Sequence, residues 1–203
     1  CHMTHFGGGG FEGPADQMWH YDRKSGRNTM TVAFGHAIDI FCHCLGDFTE
    51  LSSVVSTQVK ERLEVDTKQM VDVTSPDNIL VNGRLANGGV ASVHVANNPW
   101  AGSGYRLEIY GREGTLVAAS DESPNHEGVR QQGAQGGNQL EDLEVPGKYT
   151  YVLEGMPRGA AYNVGQMYYQ FGESIRTGDV CQPDFNTAVE LHRFIDTIQE
   201  ASE

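Results

Sequence analysis

Basic residues are scarce in this chain: 14 Lys and Arg stand against 27 Asp and Glu over 203 residues, a formal charge of −13 with a pI near 4.9. No block of Lys and Arg is available to release counterions from phosphates or to meet anionic headgroups, so neither nucleic acid nor a membrane surface is expected as a partner. Long apolar runs are missing as well. None approaches the roughly 20 residues that span a bilayer, and no charged-then-apolar leader precedes the first expected strand. The four cysteines are too few for a disulfide scaffold. Cys42 and Cys44, two apart on one expected helix, point about 200° from each other, which opposes a bridge. A reducing cytoplasm is therefore the expected compartment. Cys1 stands first, and a fragment is expected rather than a lipidated protein, because no flexible tether separates it from the first strand.

Glycine is plentiful, at 25 residues, and it punctuates a pattern of short strands. Cys1 to Phe6 reads as a strand before the loop Gly7 to Gly10. Phe48 to Lys60, rich in Val, Ser and Thr, reads as another, and Glu61 to Asp77 as a polar connection. Ile79–Leu85 and Val90–Ala96 flank Asn87-Gly88, a strong hairpin signal. Tyr105–Tyr110 and Thr115–Ala119 form a second pair, and Leu140–Val145 a last strand before Pro146. Ser120 to Asn138 has almost no apolar residues and reads as a mobile surface loop. Two helices close the chain, one with the stripe Ala161, Val164, Tyr168, Phe171 and Ile175, the other capped by Asp184 with the stripe Phe185, Ala188, Val189, His192 and Ile195. No interior linker divides the chain, so a single domain over residues 1–203 is expected. Its class is α+β, a largely antiparallel, open-faced sheet with helices packed on one face.

The segment Asn28 to Asp47 carries the most chemistry. At about 100° per residue, Met30, Phe34, Ile38, Phe41 and Leu45 fall in one arc, with Thr29, Val32, His36, Asp39 and His43 opposite. Such a helix packs one side and offers polar groups on the other. Imidazole titrates near neutrality, so His36 can exchange a proton with a substrate hydroxyl; a helix-face histidine with a satisfied hydrogen bond is the plainer reading. Asp39, one turn on, can pair with His36 or simply be solvated. Trp19, His20 and Tyr21 just upstream can form a platform for a sugar ring or be partly buried core. Although Gly8 to Gly13 satisfies G-x-G-x-x-G, Pro14 and an irregular segment follow it where a dinucleotide fingerprint needs a helix. His36 and His43 lie about 10 Å apart along the axis, too far to share a zinc ion, and no metal is expected.

The same residues resemble the C-terminal domain of the Gfo/Idh/MocA oxidoreductases, in the branch that includes the fungal galactose-regulon repressor. Gly35-His36-x-x-Asp39 matches the end of the family's helix motif. In chain order, Ser75-Pro76-Asp77, the Asn87-Gly88 hairpin, Ile109-Tyr110-Gly111, Gly114-Thr115-Leu116, Tyr162-Asn163-Val164 and Pro183-Asp184-Phe185 extend the likeness over nearly the whole chain. The resemblance implies His36 as the catalytic residue, with Asp39, Trp19, Tyr21 and Asn163 near substrate. It also implies a sugar or polyol substrate, a homodimer formed through the open sheet face, and NAD or NADP bound by an upstream Rossmann domain that is missing here along with its catalytic lysine. By itself the chain is then expected to be inactive. Where much of the family has an aspartate four residues before the histidine, this chain has Val32, as the non-catalytic repressor-like branch does. A regulatory protein is thus the alternative to an enzyme half.

Overall fold

The computed structural model describes residues 1–97, 100–125 and 128–202. Its main sheet has eight strands in the order β11-β10-β9-β8-β1-β7-β6-β3. They are β1 (His2–Phe6), β3 (Phe48–Ser56), β6 (Asn78–Leu85), β7 (Val90–Ala96), β8 (Gly104–Tyr110), β9 (Gly114–Ser120), β10 (Arg130–Gln135) and β11 (Glu141–Leu143). All neighbours are antiparallel except β1 and β7, which run parallel with His5 opposite Val95. The β6–β7 hairpin turns at Asn87-Gly88 as its sequence predicts. Gly88 adopts φ +85°, open to glycine at little cost, and the Asn87 side chain accepts from Gly89 N at 2.8 Å.

Period-two alternation sends Ala91, Val93 and Val95 of β7 to the covered face, where they meet Ile79 and Val81 of β6 and Met3 of β1. Two helices cover that face: α1 (Gly35–Leu45), through Phe34 just before it, Ile38 and Phe41, and α3 (Phe185–Glu200), through Ile195 and Ile198. Each of these fully buried large side chains contributes roughly 1.5–3 kcal/mol by leaving water. Asp184 caps α3 as expected, accepting from Thr187 N at 2.9 Å. The expected class, an open antiparallel sheet with helices on one face, is the fold observed.

Three expectations are corrected. The polar connection Glu61–Asp77 contains β4 (Glu61–Glu64) and β5 (Gln69–Asp72), which join β2 (Glu12–Gly13) in a small second sheet. The surface loop Ser120–Asn138 contains β10, paired to both β9 and β11; its residues His126 and Glu127 lie outside the described residues. Third, the apolar stripe of α2 (Ala160–Thr177) exists but is not buried: Tyr168 is 69% and Ile175 70% exposed, and at the start of α3 Phe185 is 92% exposed. Of the 24 large hydrophobic side chains exposed among the described residues, 16 fall between positions 140 and 189.

Candidate functional site

A polar cavity of about 360 Å³ opens where three segments meet. They are the glycine loop after β1, a 3-10 helix at Ala15–Tyr21, and the stretch Arg27–Ala33 that leads into α1. Asn28 is buried and caps this stretch, its Oδ1 accepting from Met30 N at 3.0 Å and Thr31 N at 3.3 Å. From Met30 to Phe34 the chain then makes one π-helical turn, with Phe34 N donating to Thr29 O at 2.8 Å, before α1 begins. Such single turns concentrate at functional sites. Val32 and Ala33 of this turn lie in the cavity wall.

The opposite wall is fixed by backbone. Tyr21 O accepts from Thr74 N and Ser75 N, both at 2.9 Å, which ties the 3-10 helix to the corner before β6. Gly9 lets the loop press against Asn97: a Cβ there would lie 2.8 Å from Asn97 O. Behind this wall sits Arg62 of β4, only 2% exposed, with its guanidinium stacked 4.2 Å from the Tyr21 ring. Its Nη1 donates to Gly9 O at 2.9 Å and its Nη2 to Asn97 O at 3.4 Å, while Nε has no partner among the described residues. Among the described residues, no carboxylate pairs with it.

Arg27 and His20 line the mouth, with Arg27 Nη1 2.7 Å from His20 Nδ1. Desolvation, then the Arg27 charge, push the His20 imidazole below its ordinary range, against a weaker pull from Asp16. Glu12 is the one carboxylate among the lining residues. The walls also carry Gln17, Asn28, Thr29 and Asn97, so amides and a hydroxyl sit beside the charges. The arrangement suits a small polyhydroxylated ligand.

The sequence-predicted residues are only partly brought together. Tyr21 lines the cavity. Trp19 is 50% exposed and stands outside it, edge-on to His20 at 4.1 Å and beneath Arg27 at 5.7 Å. His36 is exposed on the first turn of α1, one turn beyond the cavity wall. It lies close enough to His5 of β1 to act on it: burial first, then His36, lowers the His5 pKa, and His5 Nδ1 is buried without a partner among the described residues. Asp39 lines two other clefts toward α3, one of about 370 Å³ with His43 and Glu190, the other a largely apolar space of about 500 Å³ with Phe171 and Leu191. Asn163 sits apart on α2, donating to Asn125 O at 3.0 Å. The expected single polar face from Thr29 to His43 is therefore divided, Thr29 and Val32 lining the cavity, Asp39 and His43 a cleft toward α3.

Sequence reasoning missed Arg62, Arg27, Glu12 and Asn97. Arg27 is signalled only by its place in the polar run before the helix, and Arg62 by nothing, since it sits in a segment that reads as solvated connection. The glycine loop runs into β2 and a 3-10 helix, so it offers no α-helix N-terminus to a pyrophosphate and does not fit a nicotinamide dinucleotide. Among the described residues, no three His, Cys, Asp or Glu side chains converge on a point where a metal ion could sit. Burial raises the Cys42 thiol to about 12, which makes it inert.

The fold is an open sheet carrying two helices on one face, with a polar cavity at the entrance of the first. A family profile described as the C-terminal domain of Gal80p matches residues 3–120, and the chain belongs to this Gal80p C-terminal-like family, within the C-terminal domains of the Gfo/Idh/MocA type. It is 27% identical over 135 residues to an uncharacterized oxidoreductase of Synechocystis, covering 66% of this chain and 36% of that protein. It is 32% identical over 94 residues to the galactose/lactose metabolism regulatory protein of Kluyveromyces lactis, covering 41% of this chain and 21% of the relative. Among solved structures, Gal80p from the same yeast superposes with a TM-score of 0.78 at 21% identity, over 99% of this chain and 50% of that one. Levoglucosan dehydrogenase in complex with NADH and L-sorbose does so with 0.79 at 19% identity, over 99% and 56%. The chain thus spans about a third or less of the curated relatives it matches and about half of these solved chains. No described helix is long and apolar enough to cross a membrane.

Proposed function

We propose that the chain is the substrate-binding and dimerisation half of an NAD(P)-dependent sugar or polyol oxidoreductase of the cytoplasm, with the nucleotide held by another stretch of polypeptide. The observation that carries this reading is the amide- and hydroxyl-lined cavity at the entry to α1, one turn before the exposed His36. That the levoglucosan dehydrogenase structures contain NADH with levoglucosan or with L-sorbose supports it by likeness of fold. In this reading His36 takes the proton of a substrate hydroxyl as the carbinol carbon is oxidised, while Tyr21 and the amides orient the sugar ring. The open face of the sheet, which bears Thr4 and His94, pairs with a second copy. His36→Ala in a protein containing both halves should lower turnover about 10²–10⁴-fold with cofactor affinity unchanged; undiminished turnover would remove His36 from the chemistry.

A second reading, a non-catalytic regulator, has one observation in its favour: Val32 lines the cavity where the enzymes resembled have an acid. Val32→Asp separates the two. A gain in turnover supports a weakened enzyme, and turnover absent from parent and variant alike supports the regulator.

A further inference from the structure

We propose that the cavity at the entry to α1 selects a sugar acid bearing a single carboxylate, a hexuronate or aldonate, over a neutral sugar. This rests on the reading of the cavity as a carbohydrate site and adds the charge of the ligand. The Arg62 guanidinium is 2% exposed, makes two of its five possible hydrogen bonds, both to carbonyls, and has no carboxylate partner among the described residues. A buried cation without a counter-charge is costly, because attraction to an anion is what normally offsets its desolvation. Its charge sits directly behind Gly9, Tyr21 and Asn97, all of which line the cavity.

A second guanidinium, Arg27, stands at the mouth against His20, its Nη1 2.7 Å from His20 Nδ1. Facing these two cations is one lining carboxylate, Glu12. The nearby acids Asp16, Asp22 and Asp66 are not among the lining residues; Asp66 accepts from Ala15 N at 2.7 Å and Asp22 from Lys24 N at 2.9 Å. Counted over the described lining residues and the Arg62 side chain directly behind them, two guanidiniums stand against one carboxylate, an excess of one in a chain whose net charge is −13. That excess matches a monoanion. Glu12 opposes a dianion such as a sugar phosphate, and a volume of about 360 Å³ admits a single hexose-sized ring.

The test is a protein-observed NMR titration of the 203-residue chain with D-glucuronate, D-glucose and inorganic phosphate, following the amides of Gly8, Gly9 and Asn28. Glucuronate should bind at least tenfold more tightly than glucose, and 0.5 M NaCl should erase most of that margin. Arg27→Gln should reduce the glucuronate-to-glucose affinity ratio about tenfold, and Glu12→Gln should raise it several-fold. Both residues are exposed, so neither variant threatens the fold. Equal affinity for the two sugars, or phosphate bound more tightly than glucuronate, overturns the proposal while leaving the carbohydrate reading in place. If neither sugar shifts these amides, both fall.

Discussion

Asp77 holds the corner that shapes the cavity, and its removal gives the sharpest measure of how the site is supported. The side chain is 4% exposed, and its two oxygens divide their work: Oδ1 accepts from Gln58 N and Oδ2 from Val59 N, each at 2.8 Å, with Asn78 Nδ2 adding a longer bond at 3.2 Å. Its backbone carbonyl accepts from Asn97 N at 3.0 Å, which joins the corner to the cavity wall. Each charge-assisted bond to a buried amide is worth about 1.5–3 kcal/mol, and the abandoned N–H groups cannot easily reach water. Asp77→Ala should therefore cost about 3–5 kcal/mol, and Asp77→Asn about half of that, since an amide keeps one acceptor oxygen. Because domains of this size are stable by about 5–15 kcal/mol, the alanine variant should be marginal but measurable. Urea unfolding followed by far-UV circular dichroism, with an unchanged m-value, gives the numbers. A loss below about 1 kcal/mol for Asp77→Ala, or equal losses for both variants, would refute the division of labour between the two oxygens.

Other outcomes follow from single residues. Burial lowers the His5 pKa from its ordinary 6.5, so the unfolded chain takes up protons at a higher pH than the folded one. Stability should be complete above pH 6.5 and fall as pH drops through the window below it, and His5→Gln should flatten that slope in urea melts at pH 5–7; an unchanged slope counts against the assignment. A Cβ on Gly35 would meet Ile195 Cδ1 at an ordinary 3.5 Å, so Gly35→Ala should be accommodated and raise stability by about 0.5–1 kcal/mol. A loss would mean that close helix contact, and not chance, keeps a glycine there. Tyr168→Lys and Ile175→Lys should each change the unfolding free energy in urea melts by less than about 0.5 kcal/mol, since 69% and 70% of these residues is exposed; a larger loss would mean that this chain buries them.

How much of this was legible in the sequence varied with the physics of each element. The hairpin at Asn87-Gly88 was plain, because turn chemistry and alternation agreed there. The strand β10, Arg-Gln-Gln-Gly-Ala-Gln, carries no large apolar residue and packs little, so nothing local announces it; its hydrogen bonds to β9 do the pairing. The stripe of α2 was visible, but periodicity reports that a face is apolar and not whether this chain or another covers it. At the site, Tyr21, named from residue type and position, lines the cavity, while His36 lies one turn beyond its wall. No spacing rule announces the π turn at Met30–Phe34, and the buried Arg62 reads like any solvated arginine.

The first strand enters the sheet at its middle, with β7 on one side and β8 on the other, so those two have no bond to each other without it. Residues 2–6 must wait for partners roughly a hundred positions later, a high contact order that slows folding and leaves two half-sheets with raw edges until the insertion is made. Trimming the first six residues would accordingly do more than fray an end: it would cut the eight-stranded sheet into a group of three and a group of four, each exposing a strand edge able to recruit a neighbouring molecule.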